Sequence, residues 1–278
     1  MNKFEQFTRR KNLVIGAVVT VVMIIMALFA PLIAPYDPVY DADLMVAEEP
    51  PTSAYIFGTD DQGRDIFSRV VYGARISLSV GLISQLMNSI IGITLGLIAG
   101  YFGKWVDDLI MGLTNIMLSI PSIIFALAIM ALLGPGLINV FIALGFTNWS
   151  YTCRITRSQA LYTKNLNYVN ASRALSYSEV NIMFTQILPN IVGPILVIAT
   201  LGISGAILIE ASLSFLGLGT QPPTPSWGGM LATAREQLFN APWISVFPGM
   251  FIFITVLGLN LFGDGLRDLF DPHTSQRK

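Results

Sequence analysis

The feature that most limits what this chain can fold into is a series of long apolar runs separated by short polar connections. Leu13–Ala34 is about 22 residues, roughly 33 Å as a helix, enough to cross a bilayer. Further runs cover Ile76–Ala99, Leu109–Leu133, Leu137 to about Tyr151 (a weaker one), Ile191–Ile209 and Ile244–Phe262. Hydrocarbon offers a backbone no hydrogen-bond partner, so such runs must pair their own peptide groups and form helices. Of the 278 residues, 53% are hydrophobic and only 12% charged, about half the charge of a soluble domain. The expected fold is therefore an all-α membrane protein with six transmembrane helices in one membrane domain.

The same composition excludes several functions. A net charge of −1 points to no polyanionic partner, and no nucleic acid is expected. The single cysteine, Cys153, rules out an internal disulfide and a cysteine-based zinc site. The single histidine, His273, sits in the C-terminal tail. An intramembrane enzyme would need paired carboxylates, a nucleophile with its base, or converging metal ligands, and the spans offer none. Asp60, Asp61 and Asp65 lack the calcium-loop spacing and its terminal Glu, so no metal site is expected.

Each span carries features of its own. On the second, Gly92, Gly96 and Gly100 repeat at i+4 and form a ridge for close helix packing. Ser77, Gly81, Gln85 and Ser89 make a second i+4 row with Asn88 beside it, read either as a lined pathway or as interhelical hydrogen bonding. Asp107 and Asp108 open the third span, where Asn115, Ser119 and Ser122 continue the polar stripe and Pro121 should kink the helix. The pathway candidates are thus Gln85, Asn88, Ser89, Asn115, Ser119 and Ser122. Glu210, at the end of the fifth span, is either a substrate or proton site or an interfacial helix-terminal carboxylate; its position favours the second.

Two connections are long. Tyr36–Arg75 begins with an acidic, proline-bearing stretch expected to be extended. It then offers Asp60 or Asp61 as the cap of a short amphipathic helix, with Ile66, Phe67 and Val70 on the membrane surface. Ala211–Trp243 reads as a re-entrant or surface-lying segment with Trp227 and Trp243 at headgroup level. The chain divides into an anchor and linker (1–75), a core (76–265) and a tail (266–278).

Orientation follows from the basic residues. With six spans and the N-terminus inside, Lys3, Arg9, Arg10, Lys11, Lys104, Arg154, Arg157, Lys164, Arg173, Arg267, Arg277 and Lys278 face one side. Only Arg64, Arg69, Arg75 and Arg235 face the other. Twelve against four places both termini in the cytoplasm.

On that side lies a polar insert, Leu166–Asn190, within the roughly 35 residues between two spans, more than a connection needs. Val180, Met183, Phe184, Ile187 and Leu188 fall on one helical face. Ser176 and Glu179 form an S-x-x-E capping box, so one helix should end near Leu175 and a second start after Ser176. The segment reads as a helical knob, either a membrane-surface helix or a docking site for a cytoplasmic protein.

YVNASRALSYSEVNIMFTQILPN resembles the cytoplasmic "EAA" loop of ABC importer permeases: Glu-Ala-Ala, three residues, Gly, nine residues, then Ile-x-Leu-Pro. Ala171, Ala174, Ile187, Leu188 and Pro189 match; Asn170, Ser172 and Ser176 replace the usual Glu, Ala and Gly. GTDDQGRDIFSRVVYGARISLSVG, EASLSFLGLGTQPPTPSWGGML and LNLFGDGLRDLFDP are similar to segments of the second permease subunit of dipeptide, oligopeptide and nickel importers. The resemblance spans nearly the whole chain. It implies the type I ABC importer (MetI-like) fold in the bacterial cytoplasmic membrane, a sister permease, two ATP-binding subunits and an extracytoplasmic substrate-binding protein. It implies a coupling loop comprising Asn170, Ala171, Ser172, Arg173, Ala174, Leu175, Ser176, Tyr177, Ser178 and Pro189. The chain has no G-x-x-x-x-G-K-[ST] loop, so ATP and magnesium are expected on partner subunits and no cofactor on this one. Short peptides are the expected substrate, with nickel or a metal chelate as the alternative. An ion-coupled secondary transporter, the competing class, would place ionisable groups mid-membrane and show repeats; only Glu210 lies near a span.

Overall fold

A computed structural model describes residues 11–270. Lys3, Arg9, Arg10, His273, Arg277 and Lys278, used above, lie outside them. Eleven helices form among the described residues. They are α1 (Lys11–Leu28), α2 (Ala30–Ile33), α3 (Ile66–Phe102), α4 (Lys104–Ser119), α5 (Ser122–Leu133), α6 (Leu137–Gly145), α7 (Trp149–Thr163), α8 (Asn167–Ala174), α9 (Glu179–Phe215), α10 (Trp227–Thr233) and α11 (Trp243–Phe270). Among the described residues the only β pairing is an isolated bridge between Thr59 and Asp65.

Four helices, α1, α3, α9 and α11, are long and apolar enough to cross a membrane, and the bent pair α4–α5 makes a fifth if it counts as one span. The remaining expected span, Leu137–Tyr151, is not a single helix. It divides into α6 and the start of α7, with Phe146 and Asn148 outside helical geometry. The third expected span also divides. Pro121 has no N–H to continue the ladder and holds Ile120 extended (ψ 124°), so α4 and α5 meet at 89° instead of sharing a kinked axis.

The bundle runs α1–α11–α9–α3–α7 in packing order. Glycines set the closest approaches: a Cβ on Gly92 would lie 2.6 Å from the Trp149 carbonyl, and one on Gly96 2.6 Å from that of Cys153. One on Gly100 would meet the Ala160 Cβ at 2.7 Å, so the three-glycine ridge is where α3 lies against α7.

The second span is longer than its apolar run. α3 starts ten residues before Ile76, and its cap is Asp65, which accepts a hydrogen bond from the Ser68 N–H at 2.7 Å. Asp60, expected as a cap, instead accepts from Arg64 Nε at 2.9 Å and pairs with Arg69 at 3.3 Å. Arg69 also donates to the Pro38 carbonyl at 2.7 Å, tying the linker to α3. The acidic stretch is not extended: Asp37 and Asp43 cap turns and Leu44–Val46 forms a 3-10 turn. Ile66 and Val70 are fully buried in a cluster with Ala211, Trp227, Met230 and Ile244, not laid on a membrane surface. Only the side covered by the linker and α10 explains this, and that cover is non-local in sequence.

The Ala211–Trp243 segment folds inward for the same reason. Trp227 is fully buried inside the protein instead of facing headgroups; its indole Nε1–H donates to the Val70 carbonyl at 2.9 Å. Trp243 is half-buried and donates to the Thr59 carbonyl at 3.3 Å. Glu210 does not end its helix. α9 continues to Phe215, and the carboxylate, fully buried, accepts from Ser214 Oγ at 2.7 Å and Ser77 Oγ at 3.4 Å. α10 folds over it, its Trp227 N–H donating to Ser77 Oγ.

Candidate functional site

The insert 166–190 is a knob at the end of the bundle away from the linker. α8 buries only Val169 and Ser172, a one-sided attachment. Val169 enters a cluster with Leu97, Tyr101, Ala160, Ile182, Met183, Ile187 and Ile191, drawn from α3, α7 and α9. The opposite face, Asn170, Ala171, Arg173, Ala174, Leu175, Ser176, Tyr177 and Ser178, is exposed, as is Pro189. Leu175 is 72% and Val180 61% exposed, so apolar surface faces outward without cover from the described residues.

The turn after α8 is built differently from the capping box expected. Ser176 does not cap the second helix. It sits in the left-handed region (φ 59°) as the residue beyond the end of α8. Its N–H donates to Arg173 O at 2.9 Å and the Tyr177 N–H to Ser172 O at 3.2 Å, the paired bonds of a Schellman motif. The resembled pattern has Gly at this position, which the conformation favours. The cap of α9 is Ser178, whose Oγ accepts from the Asn181 N–H at 3.3 Å. Glu179, the expected boxing partner of Ser176, instead accepts a hydrogen bond from the Tyr101 hydroxyl.

The apolar face of α9's first turns is also shifted. Met183 and Ile187 are buried as expected, but Val180 and Phe184 are exposed, and Ile182 is buried in their place. Residues Ile182–Ile187 form a π-helical turn in which the Leu188 N–H reaches Met183 O, five residues back. A wider turn places i and i+5 on one side, which a 3.6-residue count does not register.

Other polar contacts fix the knob. Arg173 stands over the Tyr101 ring, its guanidinium carbon 5.3 Å from the centroid, and reaches Asn170 Oδ1 at 3.4 Å. Lys164 donates to the carbonyls of Gly100 (2.8 Å) and Tyr101 (3.3 Å), capping α3. Burial pulls the Lys164 ammonium below its usual range, Arg173 and Arg157 add to this, and Asp107 opposes it. Asp107, in the first turn of α4, forms a two-pronged pair with Arg157 of α7 (Nε–Oδ1 2.6 Å).

The expected pathway residues are not on one surface. Gln85 borders a cavity of about 250 Å³ with Asn148, Thr152, Leu201, Gly202 and Gly205, and donates to Ser89 Oγ at 3.1 Å. A Cβ on Gly202 would meet the Gln85 amide at 2.0 Å. Asn88 faces α6 instead, donating to Leu144 O and accepting from the Asn148 N–H, both at 3.1 Å. Asn115 accepts from Arg154 at 2.7 Å, and Ser119 bonds the Ile116 carbonyl of its own helix. Ser122 lies beyond the 89° bend, so Asn115, Ser119 and Ser122 form no continuous stripe. Asn148, Thr152 and Gly202 were missed because nothing but the packing of α3, α7 and α9 brings them to Gln85.

The family model described as "Binding-protein-dependent transport system inner membrane component" matches residues 92–276, which contain the knob, the cavity and the glycine ridge. The chain belongs to this family. Residues 4–51 match a second model, "N-terminal TM domain of oligopeptide transport permease C". The chain is similar to the dipeptide transport system permease protein DppC of Alkalihalophilus pseudofirmus, 44% identical over 97% of this chain and 88% of that one. It is likewise similar to the glutathione transport system permease protein GsiD of Pectobacterium atrosepticum (40% identical, 97% and 89% covered). A third relative is the oligopeptide transport system permease protein OppC of Bacillus subtilis (40% identical, 96% and 87% covered). This is a multi-pass membrane protein and a transport-system permease component.

Proposed function

We propose that the chain is one permease subunit of an ATP-driven importer for short peptides in the bacterial cytoplasmic membrane. It works with a sister permease, two ATP-binding subunits and an extracytoplasmic substrate-binding protein. The observation that carries the reading is the knob: an outward face of Ala171, Ala174, Leu175, Tyr177 and Val180 on an element whose inner side is fixed to α3, α7 and α9. A solvated surface loop gains nothing by holding apolar side chains outward on a rigid base, whereas a docking element needs both. Residues 170–178 would seat in a groove of an ATPase subunit, and movement of that subunit would reach the bundle through α3 and α9. ATP and magnesium belong to the ATPases; this subunit supplies the passage. The names of the relatives, all peptide or glutathione permeases, support peptides as the cargo.

The twelve-to-four distribution of basic residues supports both termini and the knob on the cytoplasmic side. In our reading the six crossings are α1, α3, the bent α4–α5, the broken α6–α7, α9 and α11. Residues 1–75 then serve as anchor and outer linker, 76–265 as the core and 266–278 as the tail. Gln85 and Ser89, beside Gly202 and Gly205, are this subunit's share of the passage.

Ala171→Arg puts a long cation on the exposed face of α8. Uptake of a labelled dipeptide by cells or proteoliposomes containing the full complex should be abolished, with membrane insertion intact by immunoblot. Unchanged uptake would refute docking at this face.

A further inference from the structure

Two parts of the knob and the lysine just before it converge on one residue of α3. The Tyr101 hydroxyl donates to Glu179 Oε2 at the start of α9. Arg173 of α8 covers the Tyr101 ring at 5.3 Å. Lys164, between α7 and α8, holds the Tyr101 and Gly100 carbonyls. Tyr101 itself is 6% exposed and packs on Val169 and Ile182 through the shared cluster. The docking face therefore has a fixed grip on the end of a continuous helix of 37 residues, about 55 Å long. At its far end that helix carries Arg69, bonded to the linker, and Val70, bonded to Trp227.

Resting on the proposed function, we infer that Tyr101 is the positioning residue through which the knob drives α3, with Glu179 and Arg173 as its two handles. A docking face joined to the bundle only through the peptide chain would move α7 and α9, its neighbours in sequence. The Tyr101 contacts recruit α3 as well, which no covalent link to the knob enforces. Glu179 restrains the hydroxyl along its bond, and Arg173 restrains the ring face. Together they oppose both sliding and tilting of the α3 terminus against α8.

The test uses the complete complex, permeases and ATPases with the binding protein, in proteoliposomes given a labelled dipeptide. Tyr101→Phe removes the hydroxyl and keeps the ring under Arg173; Glu179→Gln keeps an acceptor and removes its charge. In each, the ATPases should copurify as in the unaltered complex. Binding-protein-stimulated ATP hydrolysis and dipeptide uptake should fall roughly ten-fold, the worth of one hydrogen bond to a charged acceptor. The double variant should be no worse than Tyr101→Phe alone, because without the hydroxyl the charge of its acceptor no longer matters to the bond. Full uptake in Tyr101→Phe and Glu179→Gln would overturn the inference. So would losses that multiply in the double variant, or loss of the ATPases from Tyr101→Phe, which would make the residue a support of the docking face. Failure of the unaltered chain to retain ATPases at all would instead strike the proposed function.

Discussion

The two ends of α3 differ in what they leave unpaired. At the linker end, Asp60 is shared by Arg64 and Arg69, Asp65 caps the helix, and Trp227 fills the core with its indole N–H bonded to Val70. The α3 side chains Ile66 and Val70 there are covered by the linker and by α10. At the knob end the inward contacts are just as definite, with Tyr101, Val169 and Ile182 buried. Yet Leu175, Tyr177 and Val180 on the outward side are 72%, 52% and 61% exposed. One end of α3 is covered by the chain itself, although the covering linker turns Leu44 and Met45 outward (76% and 92% exposed); the other is covered only on one side. The difference teaches where stability is held and where a partner is needed.

That contrast can be broken at its stable end first. Trp227→Ala should cost about 3–5 kcal/mol, the usual range for truncating a buried large aromatic, and is read as a lowered unfolding temperature in detergent. A loss under about 1 kcal/mol would mean that the linker end is not the stable one. Toward the knob end of α3, Gly96→Ala forces a methyl to within 2.6 Å of the Cys153 carbonyl and should cost about 1–3 kcal/mol. Gly112→Ala, with nothing within 4 Å, is the matched control and should leave the unfolding temperature unchanged or raise it slightly. The smallest effect belongs to the knob. Ser176→Gly relieves a left-handed residue (φ 59°) and should stabilise by up to about 1 kcal/mol without altering the docking face. A fall in stability there would show that the serine side chain, not its backbone, holds the turn.

Much of this arrangement was legible in the sequence, and the failures share causes. Long apolar runs placed α1, α3, α9 and α11, because a span's periodicity and length are local properties. The i+4 glycines located the α3–α7 seam for the same reason. Trp227 was misplaced because a tryptophan near a span end reads alike whether it meets headgroups or folds under a neighbouring helix. Ile66 and Val70 were misread for want of α10, over 150 residues away in the chain. Glu210 looked terminal because its apolar run stops there, whereas α9 goes on for another turn through Ala211, Ser212, Leu213, Ser214 and Phe215. At the knob, a 3.6-residue count put Val180 and Phe184 on the packed face although both are exposed; Ser176 and Ser178 offer the same hydroxyl, and only backbone conformation separates a cap from the residue after a helix. Pro121 announced a change of direction and could not state its size. The residues beside Gln85 carry no local signal at all.

The π-helical turn at Ile182–Ile187 carries a consequence of orientation. It holds one residue more than an α-helical turn would, and each residue of an α-helix accounts for about 100° of azimuth. The face that α9 shows to the bundle at Ile187, Ile191 and Ile195 is thus out of phase with the face it shows beside the knob by about that angle. The wide turn acts as a phase shifter: it aims the outward side of the knob independently of the side α9 needs for packing. Sequence identity on either side can therefore stay fixed while the number of residues in that one turn decides which way the knob points.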